Sequence, residues 1–141
     1  MWREDESELI PYCLSEHIGW IPYSPMGRGL LCGADQLAEG GRTERLRTDQ
    51  WIGRWYNRDA DLAVGRAVDE VAARHGASPA QVALAWVLHR SARVAPIFGA
   101  DTPQQVDEAV AALELKLEGA DEACLVEHYQ PRLRALVPSQ D

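Results

Sequence analysis

Apolar positions recur along the chain with two different periods, and the alternation between them lays out the elements. From Asp59 to His75, the residues Leu62, Val64, Ala67, Val68, Val71 and Ala72 fall at helical spacing and form one stripe, with Gly76 placed to end the helix. Ser78 then supplies a cap and Pro79 a first helical position, so a second helix starts there. Its residues Val82 to Leu88 are apolar on every side, which predicts deep burial. The segment Glu4 to Glu16 also reads as helix, with Leu9, Tyr12 and Cys13 on one face and Pro11 expected to bend it. Its early acids Glu4, Asp5, Glu6 and Glu8 suit the positive end of a helix dipole, and His17 closes it. Thr102, Pro103 and Gln105 give a cap, a first-turn proline and a capping-box partner for a helix whose stripe is Val106, Ala109, Val110 and Leu113. A last helix over 120–129 ends before Pro131.

Two short runs have strand character instead. Ile18, Trp20 and Ile21 stop at Pro22, and Val94 to Phe98, with Pro96 inside, stops at Gly99. The order is therefore α, β, long loop, α, α, β, α, α, which predicts an α/β fold with parallel strands and helices packed outside. Two strands cannot form a parallel sheet covered on both faces, so the fold is expected to be incomplete as written. A charged helical segment that starts within a few residues of Met1 points the same way. Between the strands, residues 33–58 form a long loop in which Gly33, Gly40 and Gly41 break up any period. Trp51, Trp55 and Tyr56 cluster there among arginines, either as an adhesive lid over a pocket or packed onto the nearest helix. The tail over 133–141 is polar and expected to be loose.

Composition narrows the class of partner. The chain has 141 residues, of which 46% are hydrophobic and 26% charged, enough for one domain with one core. Its net charge of −8 and pI near 4.9 disfavour nucleic acid and anionic membrane surfaces, though not a local phosphate pocket. Cys13, Cys32 and Cys124 lie far apart without CxxC pairing and read as reduced thiols. With no long apolar span and an acidic start, MWREDESEL, the expected compartment is the cytoplasm.

Candidate chemistry sits where each strand ends. After the first, YSPMGRGLL gathers an aromatic ring, a hydroxyl, an arginine and two glycines at a strand's C-terminal end, where open α/β sheets and barrels place ligands. Glycine lets backbone approach a ligand, and arginine can hold a phosphate by two parallel bonds. The other reading is an ordinary tight loop that needs glycine only for its turn. After the second strand, Gly99, Ala100, Asp101 and Thr102 lead into a helix start whose free N–H groups attract anions. Asp101 argues against an anion there, because a carboxylate beside phosphate is repelled. The four histidines are scattered, with no spacing for a metal, and no metal ligand is assigned.

These two motifs together resemble a known family. ELIPYC…IGWIPYSPMGRGLLCG looks like the stretch around the seventh strand of aldo-keto reductases. HGASPAQVALAWVLHR…VAPIFGADTPQQVDEAVAALELKL looks like the helix, eighth strand and following helix of the same family. The likeness runs from about Glu4 to Arg132 in the right order and implies the C-terminal part of a (β/α)8 TIM barrel, its last two βα units with helices packed outside. It implies a site for NADPH: Tyr23 stacking on the nicotinamide, and Ser24, Met26 and Arg28, with Pro25 and Gly27 between them, approaching the pyrophosphate. Gly99, Ala100, Asp101 and Thr102 would lie near the adenosine 2′-phosphate and ribose, with Gln105 at the same end and Glu108 and Ala109 near the adenine.

Three departures qualify that picture. Asp101 and Thr102 stand where the family often has Ser or Thr followed by a basic residue, which weakens NADPH and leaves NADH open. Ala109 stands where many members have Asn. The family's catalytic Asp, Tyr, Lys and His come from earlier strands, so no catalytic residue is assigned: the chain's single lysine is Lys116, and Tyr12, Tyr23, Tyr56 and Tyr129 lack the required setting. The implied function is NAD(P)H-dependent reduction of a small aldehyde or ketone, with this chain alone inactive. The alternative is a non-catalytic remnant or interaction partner that pairs with another chain, its own copy included, through open sheet edges.

Overall fold

The structure is a computed structural model that describes residues 1–34, 52, 55, 56 and 59–132. The expected loose tail over 133–141 lies outside the described residues. So does most of the loop over 33–58, Trp51 included.

The N-terminal helix forms in two pieces rather than one. A 3-10 turn spans Glu4–Glu6, and α1 spans Leu9–Ser15. The restart puts Pro11 in the first turn, where its missing N–H has no helical partner to lose, so the proline sets the helix start instead of bending its middle. Cys13 is buried as expected, but Leu9 and Tyr12 on the same stripe are exposed. His17 does end the helix: it adopts a left-handed φ of 58°, and the Ile18 N–H reaches back to the Cys13 carbonyl at 2.8 Å.

The two apolar runs lie side by side and parallel. Bridges join Trp20 to Val94 and Tyr23 to Ile97, with the same register at both. Trp20 donates to the Arg93 carbonyl at 3.1 Å, while Ala95 and Ile97 donate to the carbonyls of Trp20 and Pro22 at 3.1 and 2.9 Å. Pro22 has no N–H to give to the Ala95 carbonyl opposite it, so the pairing stays as two isolated bridges. At its entry the chain passes so close to its neighbour that a Cβ on Gly19 would stand 3.2 Å from the Arg93 carbonyl oxygen.

The core sits among three helices: α2 (Asp59–His75), α3 (Pro79–Leu88) and, after α4 (Pro103–Ala111), α5 (Gly119–Glu127). Val68, Val71, Ala72, Val82 and Leu125 form its centre, with Leu31, Trp86, Leu115 and Leu117 packed around them. Gly76, at φ 60°, ends α2, and the Ala77 N–H reaches the Ala72 carbonyl at 3.0 Å. Ser78 caps α3 through the Gln81 N–H at 3.2 Å, and the Gln81 side chain returns to the Ser78 N–H at 2.7 Å. α4 differs from expectation: its apolar stripe exists, but Val106, Val110 and Leu113 are exposed, and Ala112 alone of that neighbourhood is fully covered. An amphipathic period shows which side of a helix is apolar, and nothing among the described residues packs over this one. No described helix is long and apolar enough to cross a membrane.

Candidate functional site

Because the two bridged segments are parallel and in register, the loops that follow them leave at the same end. The first carries four left-handed residues: Ser24, Gly27, Arg28 and Gly29 have φ of 52°, 56°, 58° and 98°. Glycine adopts this region freely, whereas Ser24 and Arg28 each cost on the order of 1 kcal/mol there, a strain that surrounding bonds must hold. Gly27 donates to the Ser24 carbonyl at 2.9 Å, Gly29 and Leu31 to Met26 at 3.0 and 3.2 Å, and Cys32 to Gly29 at 3.1 Å. Tyr23, just before this coil, is 77% exposed.

The coil is anchored from below by α2. Gly65 and Asp69 lie one turn apart on one ridge of that helix. A Cβ on Gly65 would stand 2.8 Å from the Ala34 Cβ, and the Asp69 carboxylate accepts the Ala34 N–H at 2.7 Å. One further turn back, buried Asp61 pairs with the buried guanidinium of Arg132, which also donates to the Trp55 carbonyl at 2.8 Å. Sequence reasoning missed this ridge. Its signal was a glycine inside a strong helix, with acids four residues to either side.

Trp55 and Tyr56 come to the first loop rather than standing apart. The Arg28 guanidinium lies over the Trp55 ring, 5.0 Å from its centroid. The Tyr56 phenol is pushed up by burial first and then by the nearby Tyr23 phenol. Cys32 borders the same loop, its sulfur 3.8 Å from the Met26 sulfur. Crowding by protein around that sulfur, followed by the Glu108 and Asp69 carboxylates, pushes the Cys32 thiol up to about 11, so it is protonated and unreactive near neutrality.

The second turn is built differently. Gly99, Ala100, Asp101 and Thr102 are strung along the surface, and nothing lies within 4 Å of where a Gly99 Cβ would be. The Thr102 hydroxyl accepts the Gln105 N–H at 3.3 Å, as a cap should. The expected reciprocal bond shifts by one residue, because the Gln105 carbonyl oxygen takes the Asp101 N–H at 2.6 Å instead of that of Thr102. Gln105 and Glu108 are exposed and Ala109 is half-buried.

The fold thus brings the two loops that carry the singled-out residues to one end, with Trp55 and Tyr56 added. A groove of about 540 Å³ is lined by Glu4, Asp5, Ser7, Glu8, Leu9 and Tyr12, and one of about 300 Å³ lies between Asp59 and His128. Neither includes a residue of the two loops. Among the described residues, no group of three or more His, Cys, Asp or Glu side chains is arranged to hold a metal.

Comparison with known proteins agrees with this geometry. The sequence profile described as "Aldo/keto reductase family" matches residues 1–130. Versiconal hemiacetal acetate reductase of Aspergillus parasiticus is 38% identical over 133 residues, covering 92% of this chain and 38% of its own length. "Probable aldo-keto reductase 1" of Glycine max is 34% identical over 122 residues, covering 86% of this chain and 35% of its own. The crystal structure of a thermostable aldo-keto reductase, in complex with the inhibitor epalrestat, superposes with a TM-score of 0.62 at 23% identity, covering 90% of this chain and 36% of that one. The chain therefore spans under two-fifths of the length of these relatives.

Proposed function

This chain belongs to the aldo/keto reductase family, and from that premise we propose that it holds the nicotinamide cofactor of an oxidoreductase that reduces small aldehydes or ketones. The observation that carries the proposal is the parallel, in-register pairing of Trp20 with Val94 and Tyr23 with Ile97, which opens both loops toward one end. In this reading the chain contributes the last two βα units of a barrel in the cytoplasm. Tyr23 offers its ring to the nicotinamide, Ser24 to Arg28 approach the pyrophosphate, and Gly99 to Thr102, Gln105, Glu108 and Ala109 line the adenosine end. The cofactor is NADPH or NADH.

The residues present fit such a group in the first loop. An exposed ring at Tyr23, a guanidinium at Arg28 and glycine backbone at Gly27 and Gly29 suit a flat ring joined to two phosphates. A bound nicotinamide supplies the hydride. This chain's residues bind and orient it, and none is assigned to move the proton. The Tyr56 and Tyr129 phenols are both pushed up, in each case by burial first, which makes them poorer acids near neutrality. Tyr129 donates instead to Glu4 at 3.1 Å.

Titrating the chain with each dinucleotide and following tryptophan fluorescence tests the reading. Saturable quenching is expected, together with no cofactor oxidation over a panel of aldehydes. Absence of binding overturns the cofactor role, and turnover by the pure chain overturns the assignment of no proton donor. A second reading, a partner that pairs through its open edges, is favoured by the exposure of Ile18, Ile21 and Ile97 on the bridged segments. Light scattering after size exclusion separates the two, since a clean monomer argues against such pairing.

A further inference from the structure

The two loops at this end are electrostatic opposites, and the second does not fit a phosphate. The first loop carries Arg28. From Val94 to Leu115 the sequence has no Lys, Arg or His, and its charges are Asp101, Asp107, Glu108 and Glu114. The backbone donors at the start of α4 are in part missing or already engaged. Pro103 has none, the Gln105 N–H is taken by Thr102, and the Asp101 N–H is taken by the Gln105 side chain. The exposed Asp101 carboxylate makes no ion pair among the described residues. A lone carboxylate suits a sugar diol, whose two hydroxyls both donate to it. It opposes a further phosphate, which would bring about −1.5 to −2 charges to the same turn.

We infer that this end of the molecule takes NADH in preference to NADPH, with Asp101 as the residue that sets the choice. The inference rests on the cofactor-holding role proposed above and settles which cofactor that role serves. The pyrophosphate goes to the arginine-bearing loop, and the uncharged ribose goes to Asp101.

The test is a fluorescence titration of the whole chain with NADH and with NADPH, at low and at high salt. The expected result is a Kd for NADH roughly tenfold below that for NADPH at low salt, the order of effect a phosphate beside one exposed carboxylate produces, with the gap narrowing at high salt. Asp101→Asn should tighten NADPH by roughly fivefold and weaken NADH by several-fold, because the amide loses the charge and one of the two acceptors offered to the diol. Glu114→Gln, beyond the end of α4, should leave the ratio unchanged. Equal or tighter binding of NADPH by the natural chain, or an unchanged ratio in Asp101→Asn, overturns the inference alone. Binding of neither dinucleotide overturns the cofactor-holding role and the inference with it.

Discussion

Val71 and Val82, between α2, α3 and α5, are wholly buried, whereas Ile21 and Tyr23 on the bridged segments stand 64% and 77% exposed. Both regions are apolar in sequence, so hydrophobicity alone does not explain the difference. The helices close on one another because their ends are satisfied locally, by Gly76 after α2 and by Ser78 with Gln81 before α3, leaving their stripes free to pack. The strand segments hold two bridges interrupted by Pro22, and no described layer covers their outer residues. One region supplies stability. The other supplies geometry, aiming two loops at one end while contributing little to holding the chain folded.

That division is open to test by substitution. The largest effect is expected on the helical side at Asp61. Asp61→Ala leaves the buried Arg132 guanidinium without its partner and should cost about 3–5 kcal/mol in urea unfolding, much more than the paired change Asp61→Leu with Arg132→Met. Leu125→Ala should remove about 3 kcal/mol by emptying a place in the core. A smaller contribution depends on pH. Burial works to raise the Asp121 carboxyl, but the Glu118 N–H, then His75 at 2.7 Å and Arg74, outweigh it and hold the group below its ordinary 3.8. A carboxyl depressed on folding stabilises the protein above its unfolded value. This contribution should therefore be complete above the ordinary carboxylate range and be lost as pH falls through the lower folded value. Asp121→Asn should flatten that acid limb, measured as unfolding free energy against pH. The smallest effect belongs to the bridged segments, where Ile21→Ala should change stability by under about 0.5 kcal/mol. A loss at Ile21 as large as that at Leu125 would break the division.

The sequence carried some of this and not the rest, for physical reasons. Helix boundaries at Gly76, Ser78 and Thr102 were legible because caps and stops act through residues a few positions apart. The parallel pairing followed from the order of elements. The exposure of Val106, Val110 and Leu113 was not legible, since a period marks an apolar side without saying what meets it. The break in the N-terminal helix is not legible locally, because a proline within a helical run fits a bend and a first turn equally well. At the site, both loops were visible as motifs. The pairing of Asp61 with Arg132 spans 71 residues, and no local rule reaches that far. The stacking of Arg28 on Trp55 was half visible, as an aromatic cluster whose direction its composition does not carry.

Pro96 has a consequence for the molecule in solution. Each bridged segment shows bare isoleucine to water, the kind of edge on which identical copies can stack into fibrils. A growing cross-β stack needs an amide hydrogen at each rung that faces the next copy, and on the second segment the outward position, between the inward-facing Ala95 and Ile97, is Pro96. The Pro96 ring should therefore keep the outer edge of the second segment from becoming a template, and it leaves that rim exposed without leaving it adhesive.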